Sequence, residues 1–120
     1  MHILLIEDDQ LLRKGMGTLL LEWGYEVSSA KNGEEALNMV HDHSNVDVVI
    51  CDIFMPEISG PTFLLKLKKV FAKKFPKIVL MSAVKKPSEF LQKIDVAYDV
   101  FLQKPIDFVH LKNVLATLPK

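Results

Sequence analysis

His2-Ile3-Leu4-Leu5-Ile6-Glu7-Asp8-Asp9, residues 2–9, is the stretch that decides the fold. Four successive aliphatic residues are too few for a helix and show no alternation, so they read as a strand buried on both faces. The run ends abruptly at three acids, which places the carboxyl end of that strand at a polar edge. Residues 47–52, Asp47-Val48-Val49-Ile50-Cys51-Asp52, repeat the pattern of a buried strand followed by an acid. Strands buried on both sides need helices above and below, which is the mark of a parallel sheet.

The flanking segments supply those helices. Residues 11–23 follow helical spacing, with Leu12, Met16, Leu19, Leu20 and Trp23 on one stripe and Gly24 as the stop. Residues 26–29 read as a short strand, and Asn32 can cap a helix carrying Ala36, Leu37 and Val40. Met55-Pro56-Glu57 and Ser59-Gly60 are turn material, and Pro61 suits a first helical turn before the stripe Phe63, Leu64, Leu67, Val70 and Phe71. Residues 78–81 and 98–102 are the remaining predicted strands. Between them Pro87 opens a short helix with Phe90, Leu91 and Ile94, and Asp107 caps a final helix using Phe108, Leu111, Val114, Leu115 and Leu118. The reading is five βα units with no repeat or linker. Right-handed crossovers then favour a doubly wound three-layer sandwich. The strand order is open at this point. In the order 2-1-3-4-5, the first and third strands would flank the switch point where such sheets place their sites.

The chain's 120 residues fit one domain spanning 1–120. Apolar residues make up 49% and charged residues 25%, which excludes a disordered chain. The single cysteine, Cys51, excludes an intramolecular disulfide and fits a reducing cytosol; strand alternation turns it away from Asp52, into core. No apolar run approaches the roughly 18 residues of a membrane span, and the first apolar run is too short for a signal peptide. The expectation is a cytoplasmic domain that contacts no membrane. Formal net charge is zero but segregated. Residues 1–57 hold eleven acids against three bases, whereas residues 58–88 hold eight lysines and no acid. A uniformly basic nucleic-acid binder does not look like this, and the lysines read as a solvated helix face. No Gly-x-Gly-x-x-Gly or Walker loop supports nucleotide binding. His41 and His43 are two apart and share no helix face, and His2 and His110 have no evident partners, so none reads as a metal ligand.

Four strand ends carry chemistry. Glu7-Asp8-Asp9 follows the first strand, Asp52 the third, Ser82 the fourth, and Lys104 the fifth within Gln103-Lys104-Pro105. Converging carboxylates repel unless a cation neutralises them, and Mg²⁺ prefers one or two carboxylates with water and a phosphate oxygen. A carboxylate nucleophile at Asp52, a hydroxyl at Ser82 and an ammonium at Lys104 complete a set suited to phosphoryl transfer.

With these residues assembled, the chain resembles a response-regulator receiver domain of two-component signalling from residue 1 to about residue 118. The resemblance rests on Ile6-Glu7-Asp8-Asp9, Asp52-Ile53-Phe54-Met55-Pro56, Gly60, Ser82-Ala83 and Lys104-Pro105. It implies a flavodoxin-like fold, with a five-stranded sheet of order 2-1-3-4-5. It also implies a phosphoryl group received from a histidine kinase or histidine phosphotransfer protein. By resemblance, Asp52 is the phosphoacceptor and Asp8 binds Mg²⁺ directly. Glu7 binds it through water, and the backbone carbonyl of Phe54 is a further ligand. Ser82 is the switch hydroxyl, Lys104 the invariant lysine, and Phe101 the aromatic that rotates on activation. Downstream proteins would bind the face of the fourth helix, fifth strand and fifth helix, with no direct nucleic-acid contact. The Lys104–Pro105 bond is expected to be cis.

The chain departs from the family pattern in places. Val96-Ala97-Tyr98-Asp99 stands where the family often has Ala-Gly-Ala-Asp, and Val100 occupies one of two positions that are acidic in many DNA-binding regulators. Phe54 and Val84 map to two positions that tune phosphate loss, and both are apolar, which implies slow loss. The expectation is a stand-alone receiver acting as a switch rather than as an enzyme on a separate substrate. One alternative is the receiver of a longer transcriptional regulator continuing beyond residue 120. The other is a small haloacid-dehalogenase-like phosphatase, which normally needs an Asp-x-Asp pair where this chain has contiguous acids.

Overall fold

The computed structural model describes residues 1–42, 45–53, 60–71, 75–83 and 98–118. Its strands are β1 (His2–Ile6), β2 (Glu26–Ala30), β3 (Val48–Asp52), β4 (Lys77–Ser82) and β5 (Val100–Gln103). The described helices are α1 (Gln10–Glu22), α2 (Gly33–Asp42), α3 (Gly60–Val70) and α4 (Phe108–Thr117). The helix expected at Pro87 with Phe90, Leu91 and Ile94 lies outside the described residues, as do Phe54, the turn around Pro56, and Val84.

Every strand pairing is parallel and the order is β2-β1-β3-β4-β5. The fold is the flavodoxin-like doubly wound sheet. Strand alternation splits the core into two layers. Leu4, Ile6, Val49, Cys51, Ile78 and Leu80 pack with α2 and α3 through residues such as Val40, Phe63 and Leu67. Ile3, Leu5, Val48, Ile50, Val79 and Met81 pack on the other side with Met16 and Leu20 of α1 and with Leu111 and Leu115 of α4. Cys51 therefore lies in core, as expected.

The helix ends follow local chemistry. Asn32 Oδ1 accepts from the Glu35 N–H at 2.8 Å, and Asp107 Oδ1 accepts from Val109 and His110. Gly24, at φ +93°, takes the left-handed turn that ends α1, and the following Tyr25 N–H donates to the Leu20 carbonyl at 3.1 Å.

Some boundaries differ from the sequence expectation. Asp52 and Ser82 are the last residues of β3 and β4 rather than the first beyond them. Asp52 stays in register opposite Met81, so its backbone remains inside the sheet. β5 begins at Val100, two residues later than expected, because Asp99 is spent on a clamp. Its carboxylate accepts from the Ile78 N–H at 2.7 Å while its own N–H donates to the Ile78 carbonyl at 2.9 Å. Val70, assigned to an apolar stripe, is exposed at the last turn of α3, although it stands seven residues from buried Phe63, at the edge of the face that Phe63, Leu67 and Phe71 bury.

Candidate functional site

Parallel strands put their carboxyl ends along one sheet edge, and the acid, hydroxyl and amine residues end or follow four of them. The register continues one residue past the strands. The Ile53 N–H donates to the Met81 carbonyl at 2.9 Å, and the Lys104 N–H to the Ser82 carbonyl at 2.8 Å. These bonds hold Asp52, Ser82 and Lys104 at matching heights.

Lys104 is two strands from β3, yet its long side chain spans the end of β4. Its ammonium donates to Asp52 Oδ2 at 2.6 Å and to Glu7 Oε1 and Oε2 at 2.8 and 3.0 Å. Glu7 is fully buried and Asp52 is 6% exposed, while Asp8 beside them is exposed. Ligand oxygens of Glu7, Asp8 and Asp52 lie within 4.8 Å of one another. Three carboxylates against one ammonium leave a formal excess of two negative charges, which one divalent ion would cancel. The hard oxygen donors and that charge both fit Mg²⁺.

The electrostatics reflect this crowding. Burial pushes the Glu7 carboxyl above the usual carboxylate range; the Asp52 and Asp8 charges push the same way, and Lys104 only partly offsets them. Burial pulls the Lys104 ammonium down, but its bonds to Asp52 and Glu7 outweigh that and hold it above the ordinary lysine range. Burial pushes the Cys51 thiol up, aided by Asp52 and Glu7, so a thiolate nucleophile is disfavoured here.

The acidic trio divides. Asp9 does not join the cluster; its Oδ1 accepts from the Leu12 N–H at 3.0 Å and caps α1. Ser82 is fully buried and shares the parity of Ile78 and Leu80, on the α2–α3 side of the sheet. Phe101, opposite Leu80 in the register, packs half-buried against the same layer. Ser82 and Phe101 are thus near neighbours on one sheet face, whereas Phe54 lies outside the described residues. The Lys104–Pro105 bond is cis, as expected. Sequence reading missed Arg13, whose guanidinium Nη1 donates to the backbone carbonyl of Glu7 at 2.8 Å and of Asp8 at 3.4 Å. No periodic or motif signal marks it, because its partners are carbonyls that every residue possesses.

A family model described as the response regulator receiver domain matches residues 3–116. The chain belongs to that family. Receivers of this family are signalling switches of two-component systems. Among curated relatives, a probable transcriptional regulator, ycf29, of Pyropia yezoensis is 32% identical over 97% of this receiver and 52% of its own length. The receiver spans about half that relative's length, and 29% of a cyclic di-GMP phosphodiesterase of Thermotoga maritima that is also 32% identical. Among solved structures, the response regulator TrrA of Thermotoga maritima, in complex with Mg²⁺–BeF, is 36% identical with a TM-score of 0.82, covering 98% of each chain. The N-terminal domain of an uncharacterized Wolinella succinogenes protein has a TM-score of 0.85 at 32% identity, over 97% of this receiver and 91% of that chain. No described helix is long and apolar enough to cross a membrane.

Proposed function

We propose that residues 1–120 form one receiver unit that takes a phosphoryl group onto Asp52 from a phosphohistidine of a histidine kinase or histidine phosphotransfer protein in the cytoplasm. The observation that carries this reading is the Lys104 ammonium bridging buried Asp52 and Glu7, with Asp8 beside them. An Asp52 carboxylate oxygen attacks phosphorus. The O–P bond forms as the N–P bond breaks; that electron pair stays on nitrogen, and the histidine leaves as neutral imidazole with its proton on the other ring nitrogen. Only 6% of Asp52 is exposed, so the phosphoryl group must be delivered in line from the open side of the site. Lys104 offsets charge on the phosphoryl oxygens, and the Ser82 hydroxyl donates to one of them after moving inward. Asp8, Asp52 and, through water, Glu7 would hold Mg²⁺, which would supply the remaining charge neutralisation; the Phe54 carbonyl that the resemblance adds to this set lies outside the described residues.

A donor protein needs surface beside Asp52. An apolar groove of roughly 550 Å³ adjoins Lys104, between Leu11, Leu12 and Gly15 of α1 and Pro105, Ile106 and Phe108. Movement of Ser82 and then Phe101 would pass the signal to the face around β5 and α4, where a downstream protein binds. The domain acts as a switch and catalyses only its own phosphorylation and dephosphorylation. Membership of the receiver family leaves no support for a haloacid-dehalogenase-like phosphatase. The 52% coverage of the ycf29 regulator favours a second context, a receiver followed by an output domain. The coding sequence past Lys120 decides it.

Intact mass after incubation with acetyl phosphate and Mg²⁺ tests the chemistry. One phosphate adduct is expected, absent without Mg²⁺ and absent in Asp52→Asn; an unchanged adduct in that variant sinks the assignment. The resemblance maps Phe54 and Val84 to the two positions that tune phosphate loss, and neither apolar side chain can hydrogen-bond a water, so Phe54→Asn with Val84→Glu should shorten the adduct's lifetime.

A further inference from the structure

We infer that Arg13 is a positioning residue that holds the Glu7–Asp8 backbone where the Asp8 carboxylate can bind a divalent ion, an inference resting on the cation-site reading of Glu7, Asp8 and Asp52. Glu7 and Lys104 hold each other by direct hydrogen bonds, and Asp52 is fixed within β3. Asp8 has neither support. It lies past the end of β1, it is exposed, and among the described residues no hydrogen bond reaches its carboxylate. Its position is therefore set by its backbone. That backbone is gripped on one side by the sheet, where the Glu7 N–H donates to the Ala30 carbonyl at 3.1 Å. On the other side it is gripped by Arg13, through the carbonyls of both Glu7 and Asp8.

Arg13 is itself well anchored. Its N–H donates to the Asp9 carbonyl at 2.9 Å, inside a helix pinned to the core by Met16 and Leu20. The side chain thus folds back across its own helix N-terminus and closes residues 7–13 into a ring. Both bonds leave one nitrogen, Nη1, and the short one, to the Glu7 carbonyl, carries most of the hold; a permanently charged guanidinium keeps it charge-assisted, and a lysine could supply the same single donor in part.

The proposal has a sign that separates it from simple electrostatics. A cation beside a dication site repels the ion, so if Arg13 acted only through charge, its removal would tighten Mg²⁺ binding. If Arg13 positions Asp8, removal weakens binding, as loss of a supporting bond around a metal ligand commonly does by about 10–100-fold. Because Arg13 holds the backbone and not the carboxylate itself, the low end is expected.

The experiment is a MgCl₂ titration at constant ionic strength of the parent, Arg13→Ala and Arg13→Lys, read by amide chemical shifts of Asp8 and Asp52. Melting in EDTA is followed in parallel. About tenfold weaker binding in Arg13→Ala, with partial recovery in Arg13→Lys, is the expected result. Equal or tighter binding in Arg13→Ala overturns the positioning role, and so does a lowered melting temperature with unchanged affinity. A parent that binds no Mg²⁺ overturns the cation-site reading and this inference with it, and that outcome is distinct because the parent itself fails.

Discussion

Lys104 Nζ lies 2.6 Å from Asp52 Oδ2, so the carboxylate proposed as nucleophile is held as one half of an ion pair whose cation it shares with Glu7. Two carboxylates that are almost wholly buried share one ammonium, and the consequences can be measured before any phosphoryl group is present.

Replacing Lys104 by Met should remove the positive charge that Glu7 and Asp52 share. Breaking a buried pair from one side costs about 3–5 kcal/mol; the Lys104 side chain keeps 20% exposure, so about 2 kcal/mol is expected. Urea denaturation at pH 7 in EDTA checks it. Excess Mg²⁺ should recover part of the loss, since it supplies the missing positive charge. A variant as stable as the parent would show that the pair contributes no net stability.

Glu7 predicts a pH dependence of definite sign. Its folded pKa is raised by burial, so its neutral form is favoured in the folded state. This contribution is full below the ordinary carboxylate pKa of about 4 and is lost as pH rises through the raised value. Glu7→Gln stays neutral and can still accept from Lys104. In EDTA the variant should match the parent near pH 4 and become the more stable protein towards pH 8, measured as the urea midpoint. A difference that does not change with pH would refute the account.

Asp8 and Asp9 are adjacent but should separate cleanly. Asp9→Ala removes the cap of α1 and should cost about 1 kcal/mol of stability, with Mg²⁺ affinity nearly kept. Asp8→Asn should reverse the pattern: weaker Mg²⁺ binding by tenfold or more, and apo stability equal or higher because repulsion is relieved. Parallel thermal melts and Mg²⁺ titrations decide the point. Equal effects of the two on Mg²⁺ would place Asp9 in the site after all.

The switch is testable through Ser82 and Phe101. A beryllofluoride adduct at Asp52 should shift resonances around Phe101 as well as those near the site, because Ser82 and Phe101 share one sheet face. Ser82→Ala should reduce the Phe101 shifts while those beside Asp52 persist. Shifts confined to the loops around Asp52 in the unmodified chain would break the proposed coupling.

The sequence alone determined the five strands, the four described helices and the strand ends at which the acid, hydroxyl and amine side chains stand. Runs such as Ile3–Ile6 and Val48–Cys51 are apolar on every residue, which only strands covered on both faces require, and caps such as Asn32 and Asp107 act within three residues of themselves. Those signals are local, so they survive in one dimension. Tertiary structure alone decided which strands are neighbours, because order depends on crossovers that packing selects and no short stretch encodes. It decided that Lys104 reaches across β4 to pair with Asp52 and Glu7, positions 52 and 97 residues away in the chain. It also separated Asp8 from Asp9, identical side chains in consecutive positions. One remains near the carboxylates at the sheet edge, and the other turns to the first amides of α1, because α1 begins at Gln10, immediately after Asp9.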